Sequence, residues 1–116
     1  MPDKTCKERV KGEWLDRRED LKKLLNAPDN ETEELGSLNN YGLCIDKVEA
    51  GTFEGQRKDY IRYQFSWGGP SDELRIFKNG GMEYWFLDWF DGASLDVTND
   101  KVANMVKDWV LEGMSF

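Results

Sequence analysis

A run of aspartates in the last third of the chain holds the side chains best suited to acid–base or metal chemistry. Its members are Asp88, Asp91, Asp96 and Asp100. Carboxylates beside a glycine can bind Ca²⁺, and a pair of carboxylates can act as general acid and general base in a hydrolase. Their spacing departs from the EF-hand pattern, however. Capping of the next helix by Asn99 or Asp100, with Asp91 closing a turn at Gly92, accounts for most of the run.

No other combination of residues points to catalysis. The chain contains no histidine, which excludes Ser–His and Cys–His nucleophiles and imidazole ligands. Cys6 and Cys44 are its two thiols and form no CxxC pair, so we predict two buried free cysteines and neither a cofactor nor a metal site. A carboxylate or metal-dependent hydrolase using Asp88, Asp91 and Asp96 is the alternative to a non-enzymatic protein.

The glycine-bearing turn over residues 68–73 is a second candidate for ligand binding. Successive backbone N–H groups there could form an anion nest. Pro70 removes one donor, however, and Asp72 and Glu73 would repel a phosphate. The turn is therefore predicted to be a structural hairpin loop.

Length and composition predict one soluble globular domain. The 116 residues are 39% hydrophobic and 34% charged, a size and balance typical of a single domain with one core. No apolar stretch approaches the roughly 20 residues of a membrane-spanning helix. Residues 1–10 lack the apolar region of a secretory signal. We expect a single domain over residues 1–116, located in the cytoplasm and without a membrane partner.

The acidic charge of the chain bears on its partners. The formal charge of −7 results from 23 acidic and 16 basic residues. Proteins bind phosphate backbones with cations that release counterions, so we expect no direct nucleic-acid partner. Imitation of DNA is also disfavoured, because the 16 Lys and Arg residues would interrupt an anionic track.

The N-terminal segment has helical periodicity. Residues 5–26 begin with Thr5 and Glu8 at capping-box spacing, and the helix should end at the proline that follows. Its polar side, which includes Arg17 and Arg18, is predicted to be solvated, with a basic partner site as the minority interpretation.

Two further helical segments are predicted. Asn30 and Glu33 repeat the capping spacing, which predicts a short helical turn ending near Gly36. The apolar stripe after Thr98 predicts a C-terminal helix that ends at Gly113. Its valines, methionine and tryptophan are assigned to the core.

Between these helices the apolar residues alternate with period two. Four strands are predicted, over residues 41–48, 59–67, 73–78 and 82–89. The turn at residues 79–81 suits a three-residue hairpin loop. The expected architecture is α+β, with an antiparallel four-stranded meander flanked by an N-terminal and a C-terminal helix.

Hairpin register decides which side chains share a face of the meander, because a slip by one residue exchanges the faces. Placing Trp67 opposite Asp72, and Lys78 opposite Met82, keeps the apolar residues together. The first face then carries Ile61, Tyr63, Phe65, Trp67, Leu74, Ile76, Met82, Tyr84 and Phe86, and is assigned to the core. The second face carries Arg62, Gln64, Ser66, Glu73, Arg75, Phe77, Glu83, Trp85, Leu87 and Trp89. In this register Arg75 lies opposite Trp85, close enough for a cation–π contact.

The second face has two interpretations. If both terminal helices cover the first face, the second face is open and offers the arginine and aromatic side chains that dominate binding hot spots. The predicted anchors are then Arg75, Phe77, Trp85 and Trp89, and the predicted orienting groups are Arg62, Gln64 and Glu73. Alternatively, the N-terminal helix covers this face through Trp14 and Leu21 in a three-layer structure. The alternation alone does not separate the two.

Two stretches of the chain resemble a known group of proteins. They are YIRYQFSWGGPSDELRIF, residues 60–77, and EYWFLDWFDGA, residues 83–93. They are similar to a family of small proteins encoded by bacteriophages, plasmids and other mobile elements. The resemblance implies a protein that acts in the host cytoplasm by binding a host protein, as anti-CRISPR and antirestriction inhibitors do.

The favoured hypothesis is a non-enzymatic protein-binding module that inhibits a host defence protein. A toxin-neutralising immunity protein is a related alternative, and the hydrolase described above belongs to a different class. A self-associating protein that pairs through an exposed edge strand is a third alternative. The sequence specifies neither the target nor the oligomeric state.

Overall fold

The computed structural model describes residues 5–68, 70–88 and 91–114. It is an α+β structure, as predicted. The elements, in chain order, are α1 (Cys6–Asn26), a 3-10 turn (Pro28–Asn30), β1 (Glu31–Thr32), β2 (Gly36–Ser37), α2 (Leu38–Tyr41), β3 (Cys44–Val48), β4 (Tyr60–Ser66), β5 (Pro70–Phe77), β6 (Met82–Asp88), β7 (Asp91–Asp96) and α3 (Lys101–Gly113). Strands β3 to β7 form one antiparallel sheet in sequence order, and β1 pairs with β2.

The N-terminal helix begins where its capping residues predict. The Thr5 hydroxyl accepts a hydrogen bond from the Glu8 N–H at 3.2 Å, and the Glu8 carboxylate accepts one from the Thr5 N–H at 3.2 Å. This reciprocal pair satisfies two donors that the first helical turn would otherwise leave open. The helix ends at Asn26, because Pro28 cannot supply the next backbone donor.

The predicted helical turn over residues 30–36 is wrong. This segment forms the short β1–β2 hairpin, in which the Thr32 hydroxyl accepts a hydrogen bond from the Leu35 N–H at 2.9 Å. Gly36 takes a φ of 74°, which glycine adopts without strain. Ser37 then caps the single turn α2, so the strand expected from residue 41 begins at Cys44.

The sheet has five strands and not the four of the predicted meander. The additional strand β7 pairs with β6, and Leu95 lies opposite Tyr84. Its sequence, Asp-Gly-Ala-Ser-Leu-Asp, contains none of the β-branched or aromatic residues that mark strands. For that reason propensity missed it. The predicted site residue Trp89, in the β6–β7 connection, lies outside the described residues.

The predicted register is wrong by two residues in both central hairpins. Met82 lies opposite Ile76 and not Lys78. Glu73 lies opposite Gln64 and not Ser66. Beyond an irregularity in β4 between Gln64 and Ser66 the difference falls to one residue, because Asp72 lies opposite Ser66 and not Trp67. A shift by two keeps the side chains on their predicted faces, because the side-chain period of a strand is two. Ser66 is the exception, because beyond the irregularity its hydroxyl donates to Asp72 on the core side of the sheet.

The first face forms the core, with one exception. Eight of its nine predicted members are buried, namely Ile61, Tyr63, Phe65, Leu74, Ile76, Met82, Tyr84 and Phe86. Trp67 was also placed there, but it is 75% exposed. It follows the end of β4 at Ser66, so no partner strand holds it against the core.

Both long helices lie on the first face. Trp14 of α1 contacts Tyr84 at a ring-centroid distance of 5.2 Å, and Trp109 of α3 lies 6.0 Å from Tyr63. Leu21 belongs to the same buried cluster. The three-layer alternative, with α1 on the second face through Trp14 and Leu21, is therefore wrong. None of the helices in the described part of the chain is long and apolar enough to cross a membrane.

Candidate interaction face

The second face of the sheet is the side that turns away from α1 and α3. Its side chains form rows across the five strands. One row is Cys44, Gln64, Glu73, Trp85 and Ser94, the next is Asp46, Arg62, Arg75, Glu83 and Asp96, and a third holds Val48, Tyr60 and Phe77. The rows place the two arginines at the centre of the sheet, with a carboxylate on each flank.

Arg75 is fixed on three sides. Its guanidinium carbon lies 4.3 Å from the centroid of the Trp85 ring and 4.8 Å from that of Tyr60. Its Nε donates to the Glu73 carboxylate at 2.8 Å. The residue directly opposite on β6 is Glu83 and not Trp85, so the predicted cation–π contact is present but diagonal. Few rotamers remain open to a side chain held in this way.

Arg62 has a carboxylate partner of its own. Its Nε and Nη2 donate to the two oxygens of Asp46 at 3.0 and 2.8 Å. These hydrogen bonds raise the pKa of Arg62 above its ordinary value. Arg62 and Arg75 face each other directly across β4 and β5, an arrangement of like charges that is unfavourable unless each is neutralised. The carboxylates of Asp46 and Glu73 provide that neutralisation.

Two predicted orienting groups lie below the surface. Gln64 is 7% exposed and Glu73 is 4% exposed. The Gln64 amide oxygen accepts a hydrogen bond from the Cys44 thiol at 3.7 Å, and its Nε2 is buried without a partner in the described structure. Glu73 instead holds Arg75. These residues can position their neighbours, but they do not present polar atoms to a partner.

The predicted aromatic anchors are half-buried. Trp85 donates its indole N–H to Glu83 at 3.0 Å, which fixes the ring orientation. Phe77 packs on Tyr60 with 5.7 Å between ring centroids. Tyr60 itself is fully buried, and this burial raises the pKa of its hydroxyl. The half-buried rings of Trp85 and Phe77 are therefore held in place from below, Phe77 by Tyr60 and Trp85 by its hydrogen bond to Glu83.

The aspartates that suggested a hydrolase have separate structural partners. Asp88 accepts from Arg9 at 2.6 Å, and Asp91 accepts from the Cys6 N–H at 2.7 Å. Asp96 accepts from the Thr98 N–H at 2.9 Å. The hydrogen bond from Cys6 lowers the pKa of Asp91, and those from Thr98 lower the pKa of Asp96. Asp100 caps α3, as predicted.

The described residues do not form a metal-binding cluster. Among these residues there is no group of three or more Cys, Asp and Glu side chains that could hold a metal ion. Both cysteines are free thiols, as expected. Cys6 is buried, whereas Cys44 is exposed on the second face, contrary to its predicted burial. The edge position of β3 explains this difference, because Cys44 has a neighbouring strand on one side only.

The cationic side of α1 is solvated only in part: Lys22 and Lys23 are exposed, as predicted, whereas Arg17 and Arg18 are partly buried in ion pairs. Arg17 pairs with Asp72 at 2.7 Å and Arg18 with Asp100 at 2.9 Å. Both carboxylates lie far away in sequence, and a local charge pattern cannot reveal such pairs. Asp72 also belongs to residues 68–73, the second candidate for ligand binding. It lies in β5 and is buried beneath α1.

Sequence reasoning missed one exposed apolar pair. Trp67 and Leu43, which is 60% exposed, lie just beyond the paired ends of β4 and β3. The Leu43 N–H donates to the Gln64 carbonyl at 2.8 Å, which holds the backbone there close to β4. One sequence signal could have predicted the exposure of Trp67. It directly precedes two glycines, where a strand commonly ends, so its side chain need not follow the alternation of β4.

Comparison with known proteins adds no relative to this description. No family model, no curated protein and no solved structure matches the chain. The similarity of residues 60–77 and 83–93 to proteins of mobile elements therefore stays a prediction.

Proposed function

We propose that this protein is a non-enzymatic binding module that docks on a host protein through its second face. The observation that carries the proposal is the immobilised Arg75, held by Glu73 and placed against the rings of Trp85 and Tyr60. Arginine and tryptophan dominate binding hot spots. A side chain that is already ordered loses little entropy on association, so more of its contact energy contributes to affinity.

Charge favours a basic partner. Asp46, Glu83 and Asp96 surround the central pair Arg62 and Arg75, where Arg75 is already neutralised by Glu73. The whole chain carries a net charge of −7. Proteins that handle nucleic acids present basic surfaces, because they must neutralise phosphates. An acidic face of this kind would meet them with complementary potential, which speeds association and makes it sensitive to salt.

This partner chemistry fits an inhibitor of host defence. Restriction enzymes and CRISPR effectors are nucleic-acid-handling proteins, and the resemblance of residues 60–77 and 83–93 to mobile-element proteins supplies the biological context. We therefore propose an inhibitor of the anti-CRISPR or antirestriction type that acts in the host cytoplasm by stoichiometric binding. No catalytic step is part of this proposal.

The same face would also suit a toxin-neutralising immunity protein, because a nuclease toxin is basic for the same reason as a defence nuclease. The two functions differ in the origin of the partner. An immunity protein is encoded beside its toxin, whereas the target of a defence inhibitor belongs to the host. A toxin gene adjacent to the gene for this chain would favour the first.

The test is capture of the partner from host lysate by the tagged protein and by two second-face variants, Arg75→Glu and Trp85→Ala. Matched controls on α1 are Lys22→Glu, which makes the same change of charge sign on an exposed site, and Leu15→Ala, which shortens an exposed apolar side chain. We expect a basic nucleic-acid-handling protein to be recovered by the controls and lost with both face variants. Unchanged recovery by folded face variants, or a partner with an acidic surface, would reject the proposal.

A further inference from the structure

A cavity at one end of the sheet combines an unusual number of cations for an acidic chain. It lies where the β3–β4 loop meets the β5–β6 turn and has a volume of about 340 Å³. It is lined by Ala50, Arg57, Lys58, Asp59, Phe77, Lys78 and Asn79. Three cations and one carboxylate give the lining a net charge of +2, whereas the chain as a whole carries −7.

The cations of this cavity have no partner among the described residues. The side chains of Arg57, Lys58 and Lys78 make neither an ion pair nor a hydrogen bond to any described residue, unlike the five arginines paired elsewhere in the protein. The single carboxylate, that of Asp59, accepts a hydrogen bond from the Ala50 N–H at 2.7 Å. The positive charge of the lining is therefore available to a ligand.

The loop that carries two of these cations is ordered by its own hydrogen bonds. The Gly51 N–H donates to the Gln56 carbonyl at 3.1 Å, and the Gln56 side chain bridges the Phe53 N–H, at 3.1 Å, and the Lys58 carbonyl, at 2.9 Å. Arg57 lies within this bonded segment. Its backbone is consequently fixed before any ligand arrives, which reduces the entropy lost on binding.

The opposite wall is a tight turn with a further cation over it. The side-chain amide oxygen Oδ1 of Asn79 accepts a hydrogen bond from the Gly81 N–H at 2.9 Å, which leaves the amide NH₂ of Asn79 as a donor. Lys107 of α3 places its Nζ 3.9 Å from the position that a Cβ would take on Gly80. The lining cations thus come from two separate segments of the chain, the β3–β4 loop and the β5–β6 turn, and Lys107 lies near that turn without lining the cavity.

We infer that this cavity binds a compact phosphate, such as inorganic phosphate, pyrophosphate or a phosphomonoester. Phosphate oxygens accept several charge-assisted hydrogen bonds at once, which suits the mixture of guanidinium, ammonium and amide donors. The volume falls at the lower end of small-molecule sites.

A long nucleic acid fits this end of the molecule less well. The neighbouring cavity of about 240 Å³ shares Lys58, Phe77 and Asn79 and is lined on its other side by Glu83 and Asp96. A phosphate backbone that continued past the site would meet these carboxylates. Phe77 of the second face also lines this cavity, but the cations on which the assignment depends, Arg57, Lys58 and Lys78, do not belong to that face.

Calorimetric titration with pyrophosphate tests the assignment. The double variant Arg57→Glu/Lys78→Glu is compared with the control Lys22→Glu/Lys23→Glu, which changes the net charge equally at exposed positions on α1. We expect the cavity variant to bind pyrophosphate at least about tenfold more weakly than the wild type, while the control keeps most of the wild-type affinity. Added salt should weaken the wild-type binding.

Three results would overturn the assignment. They are absence of saturable binding at millimolar pyrophosphate, equal weakening by the cavity variant and the control, and tighter binding of a single-stranded oligonucleotide than of pyrophosphate. If the charge-reversed variant fails to fold, Arg57→Gln/Lys78→Gln is measured in its place. Recovery of the host partner should not change in either cavity variant, so failure here is distinguishable from failure of the second-face proposal.

Discussion

Arg17 and Asp72 form a two-point ion pair between α1 and the core side of the sheet. The Arg17 Nε and Nη2 donate to the Asp72 carboxylate at 2.7 and 3.0 Å, and the Tyr84 hydroxyl donates to it at 2.6 Å. The Ser66 hydroxyl also donates to Asp72. Asp72 is 3% exposed. A buried carboxylate of this kind is tolerated because hydrogen-bond donors surround it. The only charged donor among those named here is the Arg17 guanidinium of α1, which makes two of the hydrogen bonds.

Removing the arginine should therefore be costly. Arg17→Met keeps much of the apolar stem but leaves the Asp72 charge buried without its cation, and we expect a loss of about 3–5 kcal/mol of unfolding free energy. Urea unfolding followed by circular dichroism measures this loss. The control Lys22→Met, at an exposed position on the same helix, should change stability by no more than about 0.5 kcal/mol. Equal effects of the two substitutions would show that the ion pair does not anchor α1.

The parts of the fold that the sequence predicted correctly depend on local signals. The capping box of Thr5 and Glu8, the apolar stripe of α3 and the alternation of β4 to β6 each involve residues close together in the chain. Such patterns specify which elements form and which faces are apolar. The partner of Arg17 could not be predicted in this way, because Asp72 lies 55 residues away.

The strand β7 and the hairpin registers show a second limit. The segment Asp91–Asp96 becomes a strand because β6 offers it an unpaired edge, and not because its own residues favour extended backbone. The register of β4 on β5 changes at the irregularity beside Gln64, which no local sequence preference predicts. Tertiary context determines both features.

The sequence predicts the face of the candidate site and one of its contacts, but not the burial of its polar side chains. Alternation placed Arg75 and Trp85 together on the second face, and the structure confirms their contact at 4.3 Å. The burial of Gln64 and Glu73 on the same face was not predicted. It arises because the long side chains of Arg62 and Arg75 lie over the sheet, and side-chain direction along a strand is not encoded in the period.

Acid should weaken the attachment of α3. Burial alone would raise the pKa of Asp100, but hydrogen bonds from the Ala103 N–H and from Arg18, together with the Arg18 charge, lower it below the ordinary value of 3.8. A carboxylate whose pKa is lower in the folded state contributes stability that is present above its unfolded pKa and is lost as pH falls through the folded pKa. The free energy of unfolding should therefore decrease as the pH falls through and below the ordinary carboxyl pKa of 3.8.

The variant Asp100→Asn isolates this contribution. Asparagine is also a good N-cap residue, so the helix start is retained while the ionisable group is removed. We expect the acid limb of the stability curve to flatten in this variant, and not in the control Asp16→Asn at an exposed position on α1. If the unfolding free energy of the Asp100→Asn protein decreased at low pH as much as that of the wild type, the acid sensitivity would belong to other carboxylates.

The two cysteines should differ sharply in reactivity. Cys44 is exposed, whereas Cys6 is 2% exposed and has its pKa raised, first by burial and then by the neighbouring Asp91 charge. The thiolate is the reactive form. Burial therefore protects Cys6 in two ways, because it blocks access of the reagent and because the raised pKa keeps the thiol protonated. A disulfide reagent should modify one thiol rapidly in the native protein and the second only on unfolding. The rapid phase should disappear in Cys44→Ser, and two thiols of equal native reactivity would contradict this assignment.

Two glycines should respond in opposite directions to alanine. A Cβ on Gly42 would lie 2.2 Å from Cε1 of Tyr63 and 2.7 Å from the Gln64 carbonyl oxygen. The Tyr63 ring cannot retreat, because it is buried and its hydroxyl donates to the Leu38 carbonyl at 2.5 Å. We expect Gly42→Ala to destabilise the protein by about 2 kcal/mol or more, through overpacking at the point where α2 approaches β4.

Gly12 provides the matched comparison for this substitution. It lies exposed in the middle of α1, and a Cβ there would meet no atom within 4 Å. Alanine in a helix interior loses less backbone entropy than glycine, so Gly12→Ala should stabilise the protein by about 0.5–1 kcal/mol. Urea unfolding of the two variants measures both effects. A stabilising Gly42→Ala would mean that the close approach of residue 42 to Tyr63 is not a constraint of the fold, because a methyl group at that position can be accepted only if the Tyr63 ring or the α2–β3 connection moves.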